Sequence, residues 1–224
     1  MLHGSPLDRI LPRDYDDVLV VSGLPRSGTS LAMALLAAGG VPLLEDDRRG
    51  ADIGNPGGYH EYAPVRSILT DARWLDRARG RAVKIVVPLL RALPEGLPCR
   101  VVLMRRELSE VLASQEQLLA RSGIVSERLA PERLAEALAA DLAQARAWLG
   151  RRSATAWIEI DYEELVHRPE APLSELARFA RLEGPVERLA AQIRPELHRE
   201  RHERGAAGRL AAAGLERLSS RSGG

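Results

Sequence analysis

A chain of 224 residues with 45% hydrophobic residues can fill one good core and is too apolar for wholesale disorder. A net charge of +1 gives no bulk attraction for nucleic acid or an anionic membrane, and the single cysteine, Cys99, rules out an intramolecular disulfide. No apolar run approaches a membrane span, and the N-terminus is too rich in charge and proline for a signal peptide. The expectation is a cytoplasmic protein without nucleic-acid partners or membrane insertion.

Residues 1–16 read as an arm, 17–200 as one α/β domain, and 201–224 as a flexible or helical tail. Val18 to Val21 is a β-branched apolar run, the pattern of a buried strand. Gly23, Pro25 and Gly28 break regular structure. Helical spacing begins at Thr29 and ends before Gly39 and Gly40. Val41 to Gly58 reads as a long loop, of the kind that is often functional. From Tyr59 or Glu61 to Ala78 the spacing of Tyr62, Val65, Ile68, Leu69, Ala72 and Leu75 predicts a helix.

Arg81 to Val87 reads as a second strand stopped by Pro88, with a short helix or turn over 89–98. Arg100 to Met104 is a third strand and Ala156 to Ile160 a fourth. Helices are expected over Leu108 to Ala120, Pro131 to Leu149, 171–181 and 185–193. Trp74, Trp148 and Trp157 are most simply core residues. Strands alternating with helices imply a parallel sheet covered on both faces. Ligands of such sheets bind beyond the carboxyl ends of the strands.

The first strand, tight loop and helix converge backbone N–H groups and the positive end of a helix dipole on one point, which suits an anion. The loop nearly spells the P-loop pattern G-x-x-x-x-G-K-[ST]. Gly23, Gly28 and Ser30 fit, but Thr29 stands where the lysine would reach the terminal phosphates of a triphosphate. Arg26, Ser27, Thr29 and Ser30 remain as anion-binding groups. Of the 32 Lys and Arg residues only Lys84 is lysine, which hints at a chemical role. A second receptor follows the third strand. Arg106 and, eight residues on, Ser114 sit at the same expected sheet edge and offer a guanidinium fork and a hydroxyl to a second phosphate.

Together these motifs resemble those of the sulfotransferases that use 3′-phosphoadenosine 5′-phosphosulfate (PAPS). The resemblance covers roughly residues 17–200. SGLPRSGTS, NPGGYHEY, AVKIVVPLLRALP and RVVLMRRELSEVLASQ are similar to segments of compact bacterial members. The resemblance implies a P-loop-like central parallel sheet flanked by helices, the sulfotransferase fold. It implies that Arg26, Ser27, Gly28, Thr29 and Ser30 hold the 5′-phosphosulfate and that Arg106 and Ser114 hold the 3′-phosphate. The run Asp161-Tyr162-Glu163-Glu164-Leu165 is similar to the family's Tyr-Glu-Asp-Leu segment, so Tyr162 is expected to touch the nucleotide. Lys84 corresponds to the lysine of the family's Lys-x-x-x-Pro segment. Cytosolic members carry a catalytic histidine two residues after that lysine, where this chain has Val86. They also carry a C-terminal glycine- and basic-rich loop that has no clear match here.

Sulfuryl transfer needs in-line attack by the acceptor, neutralisation of the leaving phosphate and a base. Arg26 and Lys84 suit the charge. The loop after the first helix offers Glu45, Asp46, Asp47, His60 and Glu61 as bases. The resemblance to protein tyrosine sulfotransferases favours Glu45 or Asp46, and Glu61 is placed to point into the cleft. Asp46 and Glu61 are the leading candidates. No metal is required, and no ligand spacing suggests one. The acceptor is a small molecule or a peptide, through a hydroxyl or an amine, and a homo-oligomer stays open. Two other readings stand beside this one. One is a P-loop kinase or NTPase using Glu159 or Asp161 to hold magnesium. The other is a non-catalytic nucleotide binder.

Overall fold

The computed structural model describes residues 17–46, 58–122 and 130–193. The expected arm and tail, Asp47 and most of the loop after the first helix lie outside these residues. Four strands, β1 (Val18–Gly23), β2 (Ala82–Lys84), β3 (Cys99–Arg105) and β4 (Thr155–Asp161), pair in parallel in the order β2-β1-β3-β4. Seven helices accompany them among the described residues: α1 (Thr29–Ala38), α2 (Val87–Leu90), α3 (Leu108–Ser122), α4 (Pro131–Arg151), α5 (Tyr162–His167), α6 (Glu170–Ala180) and α7 (Val186–Ala190).

Successive strand residues point to opposite faces, and both faces are buried. Val18, Val20, Val83, Ile85, Val101 and Leu103 pack against Trp74, Leu142 and Leu149 on one side. Leu19, Val21, Val102 and Met104 pack against Met33, Leu35, Leu36, Leu165 and Leu173 on the other. This is why the strands read as continuous apolar runs. The expected α/β architecture is the one the chain adopts. Trp74 is buried, and Trp148 and Trp157 pack partly buried against the first cluster.

Two expected elements differ, and one helix is not among those expected. The helix over 59–78 is instead two 3-10 segments, Ala63–Ser67 and Arg73–Ala78. Tyr62, Val65 and Ile68 are spaced by three, which puts them on one face of a 3-10 turn as readily as of an α-helix. Asp71 ends the continuity, since its carboxylate takes the N–H, Nε and Nη2 of Arg73. Leu69 is consequently 77% exposed. The second strand ends at Lys84, and Pro88 lies in the first turn of α2, where its missing N–H costs nothing. Helix α5 follows β4 directly because Asp161 caps it, accepting the Glu164 N–H at 2.9 Å.

At the amino edge of the sheet, Arg100 is clamped by both carboxylate oxygens of Asp17 and by the Phe179 carbonyl. Strand β3 thus carries a structural arginine at its second residue and ends, at the opposite edge, with Arg105 followed by Arg106.

Candidate anion-binding and transfer site

The site is built at the carboxyl edge, where β1 ends at Gly23, opposite Met104 of β3. Gly23 has no room for a side chain, because a Cβ there would collide with Ser27 Oγ and come within 2.9 Å of the Met104 carbonyl. The chain turns back through the Ser27 N–H to Leu24 carbonyl bond of 3.1 Å. Gly28, at φ 92°, then starts α1. No side chain caps α1, and its first intrahelical bond is Ala32 N–H to the Gly28 carbonyl. The preceding N–H groups have no intrahelical acceptor, so the positive end of the helix is presented to the loop.

Gly28 serves a second purpose. A Cβ on it would run into the ring of Tyr162, with Cε2 at 2.8 Å. Tyr162 is the first residue of α5, so the close approach joins the loop after β1 to the end of β4. Over the same ring, 4.6 Å from its centroid, lies the guanidinium of Arg106. Arg106 Nη1 donates to the main-chain oxygen of Arg26 at 3.2 Å, and Arg26 Nε donates to Ser114 Oγ at 3.0 Å. The two expected receptors are therefore one continuous cluster, with Arg26, Ser27, Gly28, Arg106, Ser114 and Tyr162 drawn from three strand ends.

Ser27, Arg106, Ser114 and Tyr162 are buried, and Arg26 is partly exposed; the Arg106 side chain is 4% exposed. Glu110 Oε2 accepts from Arg106 Nε at 2.8 Å, and Glu163 lies 4.0 Å away. These two carboxylates balance the arginine's charge. Ser27 is 1% exposed, and its Oγ has no hydrogen-bond partner. An unsatisfied buried hydroxyl costs about 1–3 kcal/mol, a cost that an anion oxygen in the loop would remove.

Lys84 ends β2 beside the loop. Its Nζ donates to Ser30 Oγ at 3.2 Å and to the Tyr59 carbonyl. Positive charge absent from the loop at Thr29 is thus delivered from the neighbouring strand. The Tyr59 carbonyl also lies 3.5 Å from Ser30 Oγ, which ties the returning chain to the start of α1.

That chain is positioned by the sheet edge. Leu44 N–H bonds the Ala82 carbonyl and Ala82 N–H bonds the Pro42 carbonyl, so residues 42–44 run along β2. Asp46 then latches the two segments together. Its N–H donates to the Glu61 carbonyl at 2.8 Å, and its Oδ2 takes the Ala63 N–H at 2.6 Å. Glu61 Oε2 pairs with Arg66 at 3.3 Å near the surface. Both carboxylates favoured as bases from the sequence therefore hold protein partners. Glu45 and His60 meet instead, Oε2 to Nδ1 at 2.6 Å. No local spacing signals that contact. The α5 cap, by contrast, is legible in the sequence as Asp161 followed three residues later by Glu164.

The acids that a magnesium-dependent NTPase would use are committed elsewhere. Glu159 is held by Arg146 through two bonds of 2.7 Å and by Arg105 at 3.3 Å. The Glu159 carboxylate, as hydrogen-bond acceptor, pushes the Arg146 guanidinium pKa up. Asp161 is shared between Arg105 and its capping bond. Among the described residues no group of three His, Cys, Asp or Glu side chains could hold a metal ion, and no helix is long and apolar enough to cross a membrane.

No protein-family model matches this chain, and no curated protein matches it. Among solved structures it is similar to sulfotransferase domains. One from the curacin biosynthetic pathway is 18% identical over 82% of this chain and 78% of that one, with a TM-score of 0.48. One from the olefin synthase of Synechococcus PCC 7002 is 17% identical over 80% and 78%, with a TM-score of 0.47. The sulfotransferase STF9 from Mycobacterium avium is 17% identical over 86% and 69%, with a TM-score of 0.49.

Proposed function

We propose that this chain is a sulfotransferase that moves a sulfuryl group from PAPS to a hydroxyl or amine acceptor, releasing adenosine 3′,5′-bisphosphate. The observation that carries the reading is the bond from Arg106 to the Arg26 carbonyl, because it makes one site of two anion receptors. A single phosphate chain needs only the loop. A nucleotide with phosphate on both sides of its ribose gives Arg106 and Ser114 a use as well.

The residues fit the donor. The uncapped start of α1 and the unpartnered Ser27 hydroxyl suit a phosphosulfate. The Arg106 fork suits the 3′-phosphate, with Glu110 and Glu163 displaced from it or sharing it. When bound, the donor supplies an activated sulfuryl group with a phosphate as leaving group. Arg26 and the loop N–H groups offset the negative charge that builds on that phosphate. Lys84, held between Ser30 and Tyr59, directs an ammonium at the same place. Tyr162 fixes the loop against β4 and carries the Arg106 guanidinium over its ring. No step calls for a metal.

The test is calorimetric titration with adenosine 3′,5′-bisphosphate, 5′-AMP and magnesium ATP, followed by release of labelled sulfate from PAPS. The bisphosphate should bind at least tenfold tighter than either competitor, and sulfate should be released faster than in buffer. Preference for magnesium ATP would move the reading to a kinase. Tight bisphosphate binding without turnover onto any acceptor or water would leave a nucleotide binder.

A further inference from the structure

His60 sits in the left-handed region at φ 50°, a conformation that costs a residue with a Cβ and is kept where the surroundings require it. The preceding residue, Tyr59, is fixed by its carbonyl to Lys84 Nζ and Ser30 Oγ. One peptide unit, about 3.8 Å between Cα atoms, therefore separates His60 from the residue clamped to the anion loop. Its Nδ1 meets Glu45 Oε2 at 2.6 Å. An ionised carboxylate only accepts, so Nδ1 carries the proton, and in the neutral ring Nε2 keeps its lone pair. That Nε2 is buried and has no hydrogen-bond partner. A buried ring nitrogen without a partner calls for an explanation.

We propose that His60 Nε2 is the base that takes the proton from the sulfate acceptor, and that Glu45 positions it by holding the ring in the required tautomer. The inference rests on the transferase reading above and adds the group that Val86 leaves missing. As the acceptor oxygen or nitrogen forms its bond to sulfur, the bond from sulfur to the leaving phosphate oxygen breaks. The acceptor's proton passes to Nε2, and the imidazolium then returns it to solvent. Glu45 stabilises that imidazolium. Asp46 supports the arrangement by latching residues 61–63 to the ribbon that carries Glu45.

The experiment uses the full chain and labelled PAPS with water as acceptor, reading sulfate release alongside calorimetry with adenosine 3′,5′-bisphosphate. His60→Asn suits the backbone, because asparagine tolerates the left-handed region. His60→Gly relieves it and leaves space for free imidazole. Both should lower turnover roughly 10²- to 10⁴-fold and bind the bisphosphate within about twofold of wild type. Imidazole should restore turnover to His60→Gly and not to His60→Asn. Glu45→Gln should lower kcat about tenfold with donor KM unchanged, and ¹⁵N spectra should show that His60 no longer keeps one tautomer. Wild-type turnover in His60→Asn, or no rescue of His60→Gly, overturns the assignment of the base alone. A wild-type chain that releases no sulfate to water and transfers none to a panel of alcohol, sugar, peptide and amine acceptors overturns the transferase reading and this assignment together. A chain that also fails to bind the bisphosphate removes the PAPS site as well.

Discussion

Arg106 at the end of β3 donates to the main-chain oxygen of Arg26, eighty positions earlier, at 3.2 Å. The contact makes the conformation of the first loop depend on the second motif. It also lets the Arg106 guanidinium lie over Tyr162 while its Nε faces carboxylates.

Arg106→Ala should weaken adenosine 3′,5′-bisphosphate by about 10- to 100-fold, the range for lost charge-assisted hydrogen bonds, and 5′-AMP by much less. Arg106→Lys should recover only part of the loss, because an ammonium cannot form the fork. Calorimetry with both ligands checks this. Equal losses would place the 3′-phosphate elsewhere.

Glu110→Gln should act in the opposite direction. It removes the carboxylate nearest the Arg106 guanidinium and so lets an incoming phosphate take the full charge. Bisphosphate affinity should rise a few-fold at low salt, with the gain shrinking as ionic strength increases. A fall in affinity would show that Glu110 aims the arginine rather than competing for it.

Gly28→Ala puts a methyl group against the Tyr162 ring and imposes φ 92° on a residue that avoids it. A loss of about 1–3 kcal/mol of stability in thermal unfolding is expected, with bisphosphate binding lost. Adding Tyr162→Ala should relieve the clash without restoring binding, because Arg106 then has no ring to lie on. Full binding by the double variant would remove Tyr162 from the site.

Asp46→Ala should lower stability by about 1–2 kcal/mol, as the loss of a capping acceptor does. Asp46→Asn, which keeps an acceptor oxygen, should retain most stability and most turnover. Thermal melts beside activity separate a latch from a base. A folded Asp46→Asn protein without turnover would return Asp46 to catalysis.

Burial pushes the Cys99 thiol pKa up from its ordinary value. The folded chain therefore keeps its thiol proton longer than the unfolded chain. The associated stability is complete below about pH 9 and declines as pH rises through the folded value. Folded protein should resist alkylation at neutral pH and become reactive in step with denaturant unfolding. Rapid labelling of the native protein would contradict the burial.

The loop after β1 is legible in the sequence because its signal is local: an apolar run, glycines where no side chain fits, then helical spacing. Arg106 and Ser114 are legible as a pair because both follow one strand. The 3-10 segments are not, since residues spaced by three satisfy either helix over a short run, and Asp71 decides the matter through its own hydrogen bonds. Asp46 and Glu61 read as available because a sequence does not reveal hydrogen-bond partners across a loop. Glu45 and His60 lie fifteen positions apart, and the ribbon along β2 and the Asp46 latch bring them together.

The strand order β2-β1-β3-β4 has a kinetic corollary. Neighbours in the sheet are far apart along the chain, so long segments must close before each pairing forms. The anion cluster draws on residues 26, 106, 114 and 162 and is complete only after the last of these docks. Under the proposed reading, a nucleotide added during refolding should reward the finished molecule and no partly assembled one, and its binding would serve as a signal that folding has ended.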